Sequence, residues 1–575
     1  MSTRADKPAI VDVDFARVER ALEHARTALS PEDHECLASV AETLVELSRL
    51  VRERGTTIAR LRRLFGLKSS EKTAAVLDGV ALPADPPSTP PEAGSPSDAE
   101  SASADEEPGG ADGDPPDDVD DFEAGDEPSR APKGHGRIGA SQYPRARRVV
   151  ALHPTLRVGD ACPKCPGGKL YRLRTPARLV RIVGQPPLAA TVWECERLRC
   201  SSCLDVFSAP GPPEARGPKY DASAVAMMGL LRYGAGMPLH RLDRLQRNLQ
   251  TPVPASTQWQ VACARASVLE PVHDELERRA AQGHLFHNDD TSVRILELLG
   301  KRRDALLEAA ELADPERTGL FTTAIVSVTD DGLIALFCSG RKHGGENFAK
   351  LLQARDKSLP PPIHMCDGLD RNRPSGYEVI ESNCLCHGRR HVVDEVANFP
   401  AECRHVLVEL RKVFKNDSLC REQRLSDEER LRFHQRESGP VMTALEKWIQ
   451  AELDEKRIEP NSGLGQAFRY LLKRWHELTL FLRVPGAPLD NNLCERILKM
   501  AIRHRNNSLL YRSERGAHVG DVYMSLIYTA ELHGDNPFDY LVALFEHEAD
   551  VAAAPADWLP WTYRATLAAL AARAA

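Results

Sequence analysis

Hydrophobic residues near the N-terminus repeat in alternating steps of three and four, the spacing typical of a coiled coil. The repeat, with one basic interruption, consists of Leu37, Val40, Leu44, Leu47, Val51, Arg54, Ile58, Leu61 and Phe65. It predicts an N-terminal helical region over 1–78 that self-associates. The alternative is one long amphipathic helix packed on its own chain, but the segment that follows offers no nearby core.

That following segment, 79–134, is rich in Pro, Ser, Gly, Asp and Glu and has almost no large apolar residues. It cannot bury enough surface to offset its ordering entropy, so we expect a disordered acidic linker. Residues 73–129 contain seventeen Asp and Glu and no Lys or Arg, so the net charge of −8 conceals a remainder of +9. A basic remainder permits a polyanionic partner without proving one.

Two CxxC pairs predict a small zinc-binding domain over 135–210. Four thiolates can surround one tetrahedral Zn²⁺, which then replaces a hydrophobic core. Strand-like sequence at 178–183 and 190–193 fills the interval between the pairs. The predicted ligands are Cys162, Cys165, Cys200 and Cys203.

Three helices are predicted within 211–283, over 222–233 and 239–249 and from Ser256 onward, after Pro252 and Pro254. Arg241, Arg244 and Arg247 on the second helix suggest a DNA-binding arrangement similar to a helix-turn-helix. An ordinary solvated basic face is the alternative for these three arginines.

The hydrophobic period changes from helical to alternating after position 283. Strands are predicted at 284–289, 320–328, 333–338 and 363–367, with a hairpin turn at 329–332 and a helix at 346–354. A three-stranded meander, a crossover helix and a fourth strand parallel to the first is the order of the ribonuclease H-like fold. In that order the first and fourth strands are neighbours about 5 Å apart.

Asp289 and Asp367 end those two neighbouring strands. Facing carboxylates repel unless cations lie between them, as in two-metal phosphoryl-transfer sites with Mg²⁺. Asp490-Asn-Asn492 predicts a helix start, because short polar side chains can accept hydrogen bonds from the N–H groups of a first turn. Glu495, at the start of this basic helix, is the candidate third acid, although an ordinary ion pair with Lys499 would also explain it. A charged, helical interval at about 395–485 separates the acids and is predicted to be an insertion.

The chain resembles, nearly end to end, the DDE transposases of the insertion sequence 66 group. Its leucine-zipper part looks like Leu64-Phe-Gly-Leu-Lys-Ser-Ser-Glu71, and its zinc-binding part looks like the two cysteine pairs. Its helical DNA-binding part is similar to Met237-Pro-Leu-His-Arg241 and Ser256-Thr-Gln-Trp259. The catalytic motifs are similar to His287-Asn-Asp-Asp-Thr291, Met365-Cys-Asp-Gly368, Cys386-His-Gly-Arg-Arg390 and Asp490-Asn-Asn-Leu-Cys-Glu-Arg496. The family usually has Asp-Glu-Thr at the first acid, whereas this chain has Asp289-Asp290-Thr291; Asp289 takes the first position. The motif around Glu495 also departs from the family, at 499–500 and 504–507.

The resemblance implies a multidomain α/β protein with a ribonuclease H-like catalytic domain over 284–548 and a C-terminal helical tail over 549–575. It implies cleavage of transposon ends and joining of the freed 3′-OH to target DNA, with two Mg²⁺ (or Mn²⁺) ions held by Asp289, Asp367 and Glu495. DNA-binding or accessory roles then fall to His387, Arg389, Arg390, Asn491, Asn492, Arg496, Lys499, Arg503 and Arg505. A nuclease of the same fold without strand transfer, and a domesticated, catalytically inactive DNA-binding protein, are the alternatives.

The expected partners are double-stranded DNA, further copies of the chain through the coiled coil, and accessory transposition proteins. The charged N-terminus and the lack of a long apolar run predict a protein without a signal peptide or membrane span. Fourteen cysteines, mostly scattered singly, are typical of a reduced cytosolic protein. We therefore expect a cytoplasmic, nucleoid-associated bacterial protein.

Overall fold

The computed structural model of the chain describes residues 205–309 and 314–574 without a break, together with shorter stretches further toward the N-terminus. Those stretches are 150, 152–164, 168–173, 182, 185–199, 201 and 203. The predicted coiled coil of 1–78 and the acidic linker of 79–134 lie outside the described residues, as do Cys165 and Cys200 of the predicted zinc site.

A two-stranded antiparallel ribbon flanks the second cysteine pair. Strand β1 (Arg197–Arg199) pairs with β2 (Val206–Ser208), with Leu198 opposite Phe207. The prediction of a strand at 190–193 is wrong, because only 197–199 finds a hydrogen-bonding partner in β2. All six ribbon residues are exposed, so hydrophobic burial contributes little to the stability of this ribbon.

A five-stranded mixed sheet follows, with its strands in the order β5-β4-β3-β6-β7. Its strands are β3 (Leu285–Ser292), β4 (Phe321–Thr329), β5 (Gly332–Gly340), β6 (Ile363–Cys366) and β7 (Ile380–Asn383). The first three form an antiparallel meander, while β6 runs parallel to β3 and β7 parallel to β6. The four predicted strands and the pairing of the first with the fourth are confirmed; β7 was not predicted.

The turn between β4 and β5 is a two-residue hairpin. Thr329 pairs with Gly332, so Asp330 and Asp331 form the loop, and Gly332 has a φ of +122° that favours glycine. The predicted hairpin at 329–332 is therefore confirmed.

Sixteen α-helices are described, and they cover the sheet and fill the interval after β7. Those before β6 are α1 (Ala222–Gly229), α2 (Leu239–Asn248), α3 (Ala255–Ala280), α4 (Gly300–Glu308) and α5 (Gly344–Leu352). Those after β7 are α6 (Leu385–Val393), α7 (Pro400–Glu422), α8 (Asp427–Glu437), α9 (Gly439–Asp454), α10 (Gly463–Lys473), α11 (Trp475–Leu478), α12 (Asn492–Ser508), α13 (Glu514–Leu532), α14 (Pro537–Glu546), α15 (Glu548–Ala553) and α16 (Tyr563–Ala574).

Helices α1 to α3 confirm the three helices predicted after position 220. Helix α3 buries one side along most of its length, from Ala262 to Ala280, in the core beneath the sheet. The arginines predicted on the second helix, Arg241, Arg244 and Arg247, are exposed on α2. The basic surface of this region therefore lies on α2, and its DNA-binding role stays a prediction.

Alternate residues of β3 face two different hydrophobic cores, as the two-residue period of a strand requires. Phe286 packs into the core shared with α3, α13 and α14, whereas Leu285 packs into a second core built mainly by α6 to α11. The helices of the interval 400–478 thus have a core of their own and contact one side of the sheet.

Helix α13 covers the edge strand β5 and satisfies its outward backbone groups. Three polar side chains four residues apart, those of Asp521, Ser525 and Thr529, accept hydrogen bonds from the N–H groups of Ser339, Phe337 and Ala335. Four helical residues rise roughly 6 Å and two strand residues roughly 6.7 Å, so the two repeats stay nearly in step. An exposed edge is thereby replaced by a paired one.

Asp521 makes the stability of the fold depend on pH. Its burial raises the pKa of its carboxyl to about 7, although two hydrogen bonds from Ser339 oppose the shift. The folded chain therefore binds this proton more tightly than the unfolded chain, and that stabilisation is lost as pH rises through about 7. Urea unfolding should show this loss. Between about pH 5.5 and pH 8, the unfolding free energy of wild type should decrease by about 2 kcal/mol relative to that of Asp521→Asn. Equal differences at both pH values would contradict this.

Candidate active site

Successive residues of β3 send two carboxylates to opposite faces of the sheet. The side chain of Asp290 is fully buried, and its oxygens accept hydrogen bonds from Thr323 Oγ1 (2.7 Å) and the Gly344 backbone N–H (2.9 Å). Asp290 therefore connects β3 to β4 and to the start of α5. Asp289 faces the other way and is half-buried, with Oδ1 accepting from the backbone N–H of Asp290 (2.8 Å).

Asp367 follows the last residue of β6. His287 of β3 pairs with Met365 of β6, so the parallel register carried two residues further puts Asp367 beside Asp289. Its Oδ1 accepts hydrogen bonds from Asn372 Nδ2 (2.8 Å) and the Leu369 backbone N–H (3.0 Å). These two donors fix the orientation of the carboxylate.

Glu495 lies in the first turn of α12, and Asn491 fixes the position of that turn. Asn491 is fully buried; its Nδ2 donates to Asn288 O (3.0 Å) and its Oδ1 accepts from His287 Nδ1 (3.0 Å). The Glu495 N–H then donates to Asn491 O (3.1 Å). The helix that carries the third acid is thus attached directly to the strand that carries the first.

The helix start predicted at 490–492 is confirmed, but only Asp490 of its residues caps the first turn as expected. Asp490 Oδ1 accepts a hydrogen bond from the Asn492 N–H (3.1 Å), as a capping side chain should. The Asn491 side chain makes no cap hydrogen bond within the described part of α12, because it is turned inward to β3. Asn491 is therefore a positioning residue that DNA cannot reach.

The pKa of Asp289 is sensitive to the charges of the other two acids. This pKa is raised to about 7: burial is the largest cause, the hydrogen bond from the Asp290 N–H opposes the shift, and the charges of Asp367 and Glu495 contribute to it. Such repulsion arises only between groups within electrostatic reach of one another. Three separate elements, β3, the end of β6 and α12, therefore bring Asp289, Asp367 and Glu495 together.

A buried polar network beneath the acids was missed in the sequence. Asn288 donates through Nδ2 to Asn372 O (2.9 Å), and its Oδ1 accepts from His364 Nε2 (2.9 Å). Asn372 in turn orients Asp367, so the network connects the supports of all three acids. The available signal was the polar pair His287-Asn288 within a buried strand.

The sequence model described as the Transposase IS66 family matches residues 218–519, more than half of the chain. The chain belongs to the IS66 transposase family. The matched region runs from just before α1 into α13 and includes all three acids and every strand of the five-stranded sheet.

Three relatives come from Sinorhizobium fredii (strain NBRC 101917 / NGR234), and each is named as an uncharacterized protein. The chain is 24% identical to y4hP over 445 residues, covering 73% of this chain and 76% of the relative. It is 26% identical to y4jD over 417 residues, covering 70% and 76% respectively. It is 23% identical to y4qI over 320 residues, covering 55% and 57%.

In this IS66 family member, His387 on α6 lies against the third acid. Its Nδ1 is 3.6 Å from Glu495 Oε1. A hydrogen bond with Cys384, together with the charges of Cys384 and Glu495, raises the pKa of His387 to about 9 despite its burial. Arg389 and Arg390 follow on the same helix and are half-buried. His387 thus contributes a positive charge at the rim of the site.

The residues after Glu495 form one basic side of α12. Arg496, Lys499 and Arg503 are exposed at helical spacing, and we call them the basic face. Asn492 is exposed on the same side. Arg505, predicted to have a DNA-binding or accessory role, is half-buried and donates to Thr291 Oγ1 (2.6 Å) and Ser292 O (2.8 Å) at the end of β3; its role stays a prediction.

Only two of the four predicted zinc ligands of this family member are among the described residues. Cys162 and Cys203 are described, at the isolated bridge between Ala161 and Lys169 and in the turn between β1 and β2. Because Cys165 and Cys200 lie outside the described residues, the structural Zn²⁺ stays a prediction.

The described helices differ from membrane-spanning helices in length or in composition. Among them, none has both the length and the apolar character needed to cross a bilayer.

Proposed function

We propose that this IS66 family member is a DNA transposase that cleaves transposon ends and joins the 3′-OH to target DNA by two-metal phosphoryl transfer. The observation that carries the proposal is the meeting of Asp289, Asp367 and Glu495 within the region matched by the family. The strand order β5-β4-β3-β6-β7 supports a ribonuclease H-like catalytic domain over 284–548, with a helical insertion at about 395–485.

The donor set fits divalent cations. The charges of Asp367 and Glu495 raise the pKa of Asp289, so this group of acids favours a positive charge among them, and oxygen ligands suit Mg²⁺ or Mn²⁺. When bound, a metal pair lowers the pKa of the attacking hydroxyl and stabilises the leaving oxygen. Asp289, Asp367 and Glu495 would hold these ions.

Other residues of the chain orient the acids or lie where they can contact the DNA backbone. Asn372 and the Leu369 N–H orient Asp367, while Asn491 fixes Glu495 relative to β3. His387 lies where it can offset part of the negative charge of Glu495. The basic face of α12 is exposed to solvent over the two helical turns that follow Glu495, where it can neutralise backbone phosphates.

A strand-transfer assay tests the proposal. Its substrates are the inverted repeats that flank the reading frame in its own DNA and a supercoiled target, with Mg²⁺ or Mn²⁺ present. Joined products support a transposase. Cleavage without joining would identify a nuclease instead, and binding without cleavage a domesticated DNA-binding protein.

The basic face should set the salt dependence of DNA binding. Each lost phosphate contact reduces the slope of log K against log salt by about 0.9, so replacing Arg496, Lys499 and Arg503 together by Gln is expected to reduce it by about 2.7. Fluorescence anisotropy with an end-sequence duplex measures the slope. The matched control changes three exposed basic residues of α7, Arg404, Lys412 and Lys415, to Gln. A control slope reduced as much as that of the basic-face variant would contradict the assignment.

We also propose that the protein acts as a multimer. Two transposon ends must be held together, so we propose a multimer joined through the predicted coiled coil of 1–78. A structural Zn²⁺ on the two cysteine pairs and accessory transposition proteins are proposed on the family resemblance.

A further inference from the structure

A second group of possible metal ligands adjoins the acidic site and shares one residue with it. Cys384 is the residue before α6, His387 lies in the first turn of α6, and Glu495 lies in the first turn of α12. One ligand atom from each residue can be chosen so that all three lie within 4.8 Å of one another. The starts of two helices thus bring a sulfur, a nitrogen and an oxygen together.

The separation of His387 and Glu495 suits a shared ion better than a direct hydrogen bond. His387 Nδ1 and Glu495 Oε1 are 3.6 Å apart, longer than an ordinary hydrogen bond. Around a tetrahedral ion with bonds of about 2.0–2.3 Å, neighbouring ligand atoms lie roughly 3.3–3.7 Å apart. Only a small adjustment of side chains would close the group on an ion.

One backbone N–H group donates to the sulfur of Cys384, as second-shell donors do at metal-bound thiolates. Cys384 is fully buried, and its Sγ accepts a hydrogen bond from the backbone N–H of Asn491 (3.2 Å). Such second-shell donors orient and tune first-shell ligands. Asn491 is also hydrogen-bonded to β3, so the sulfur is held in place by the same residue that positions Glu495.

The donor set decides which metal can bind. Thiolate and imidazole select Zn²⁺ and chemically similar ions such as Co²⁺, whereas Mg²⁺ prefers oxygen ligands and octahedral geometry. We propose that Cys384, His387 and Glu495 form a transition-metal site of the Zn²⁺ class, distinct from the magnesium site and from the predicted cysteine-pair site.

Sharing Glu495 makes the two metal sites compete. This consequence rests on the proposed function, because it requires Glu495 to serve Mg²⁺ together with Asp289 and Asp367. A Glu495 carboxylate bound to Zn²⁺ is drawn toward α6 and away from the other two acids. Zinc should therefore inhibit Mg²⁺-dependent cleavage.

Cobalt titration tests the site itself. The full chain, stripped of metal, is titrated with Co²⁺ and the thiolate-to-cobalt absorption is recorded for wild type, Cys384→Ser and the matched control Cys403→Ala, a buried cysteine of α7 in the second core. The predicted cysteine-pair site contributes equally to all three chains. We expect Cys384→Ser alone to lose one Co²⁺ equivalent and its share of the absorption.

A second variant tests whether misfolding explains a loss of cobalt binding. His387→Gln changes a half-buried residue, and it should lose the same equivalent while circular dichroism matches that of wild type. Equal cobalt binding in wild type, Cys384→Ser and His387→Gln would overturn the proposed site.

Cleavage assays separate failure of this site from failure of the proposed function. With Mg²⁺ present, the zinc concentration that halves cleavage should be at least about tenfold higher in Cys384→Ser than in wild type, each chain being compared with its own zinc-free rate. Equal zinc sensitivity would overturn the sharing of Glu495. If no chain cleaves DNA but the cobalt difference is present, the metal site stands and the transposase proposal fails.

Discussion

Changing Glu495 to Gln or Asp289 to Asn is expected to reduce both end cleavage and strand transfer by at least about a thousandfold. Each amide keeps the shape of the side chain but removes a negative charge from the group of three acids. Binding to the transposon ends should be retained, because the basic face of α12 is unchanged. Gel-based cleavage and joining assays, with anisotropy for binding, measure the three quantities.

The neighbouring Asp290 provides the matched control for Asp289. Its oxygens accept from Thr323 Oγ1 and the Gly344 N–H on the opposite face of β3, so Asp290→Asn replaces one of the two acceptors by an NH₂ group and leaves the three acids in place. We expect a less stable chain, by about 1–3 kcal/mol, that still cleaves DNA when folded. An inactive Asp290→Asn beside an active Asp289→Asn would reverse the assignment of the first acid.

Asn491→Leu is expected to lower the free energy of unfolding by about 2–6 kcal/mol. Leucine fits the volume but leaves Asn288 O and the His287 Nδ1–H buried without their partner, at about 1–3 kcal/mol each. The start of α12 should also shift relative to β3, and a displacement near 1 Å can reduce cleavage about a hundredfold. Urea unfolding and the cleavage assay measure the two effects.

Asn492, the next residue, is the control for this change. It is exposed, and its side chain donates only to Asp490 Oδ2 (3.1 Å) among the described residues. Asn492→Ala should therefore stay within about 1 kcal/mol of wild type. If both variants unfold at the same urea concentration, Asn491 does not hold α12 on the sheet.

Local patterns were sufficient to predict the strands that position the first two acids. The strand preference of the apolar, β-branched run of β4 and the turn preference before Gly332 depend on residues close together in the chain. A single sequence is therefore enough to predict both. Strand β7 has only four residues, and three of them are polar: Glu381, Ser382 and Asn383. Its pairing with β6 comes from tertiary contacts that no short window contains.

The supports of the acids were less predictable for the same physical reason. Asn288, His364 and Asn372 matter because folding brings them together from β3, β6 and the turn after β6. Asn491 was read as a cap or DNA contact because Asn is common at helix starts, yet its inward rotation depends on the position of β3. The spacing of Asp289, Asp367 and Glu495 indicated one site, but only the fold places Cys384 beside it.

The pairing of α13 with the edge of β5 limits how copies of this chain can assemble. Three side chains already occupy the outward N–H groups of Ser339, Phe337 and Ala335, so a strand from another molecule would first have to displace a helix of nineteen residues. Continuous intermolecular sheets, including fibrillar aggregates that grow from this edge, are therefore blocked in the folded chain. The proposed multimer would therefore have to form through surfaces other than this edge of β5.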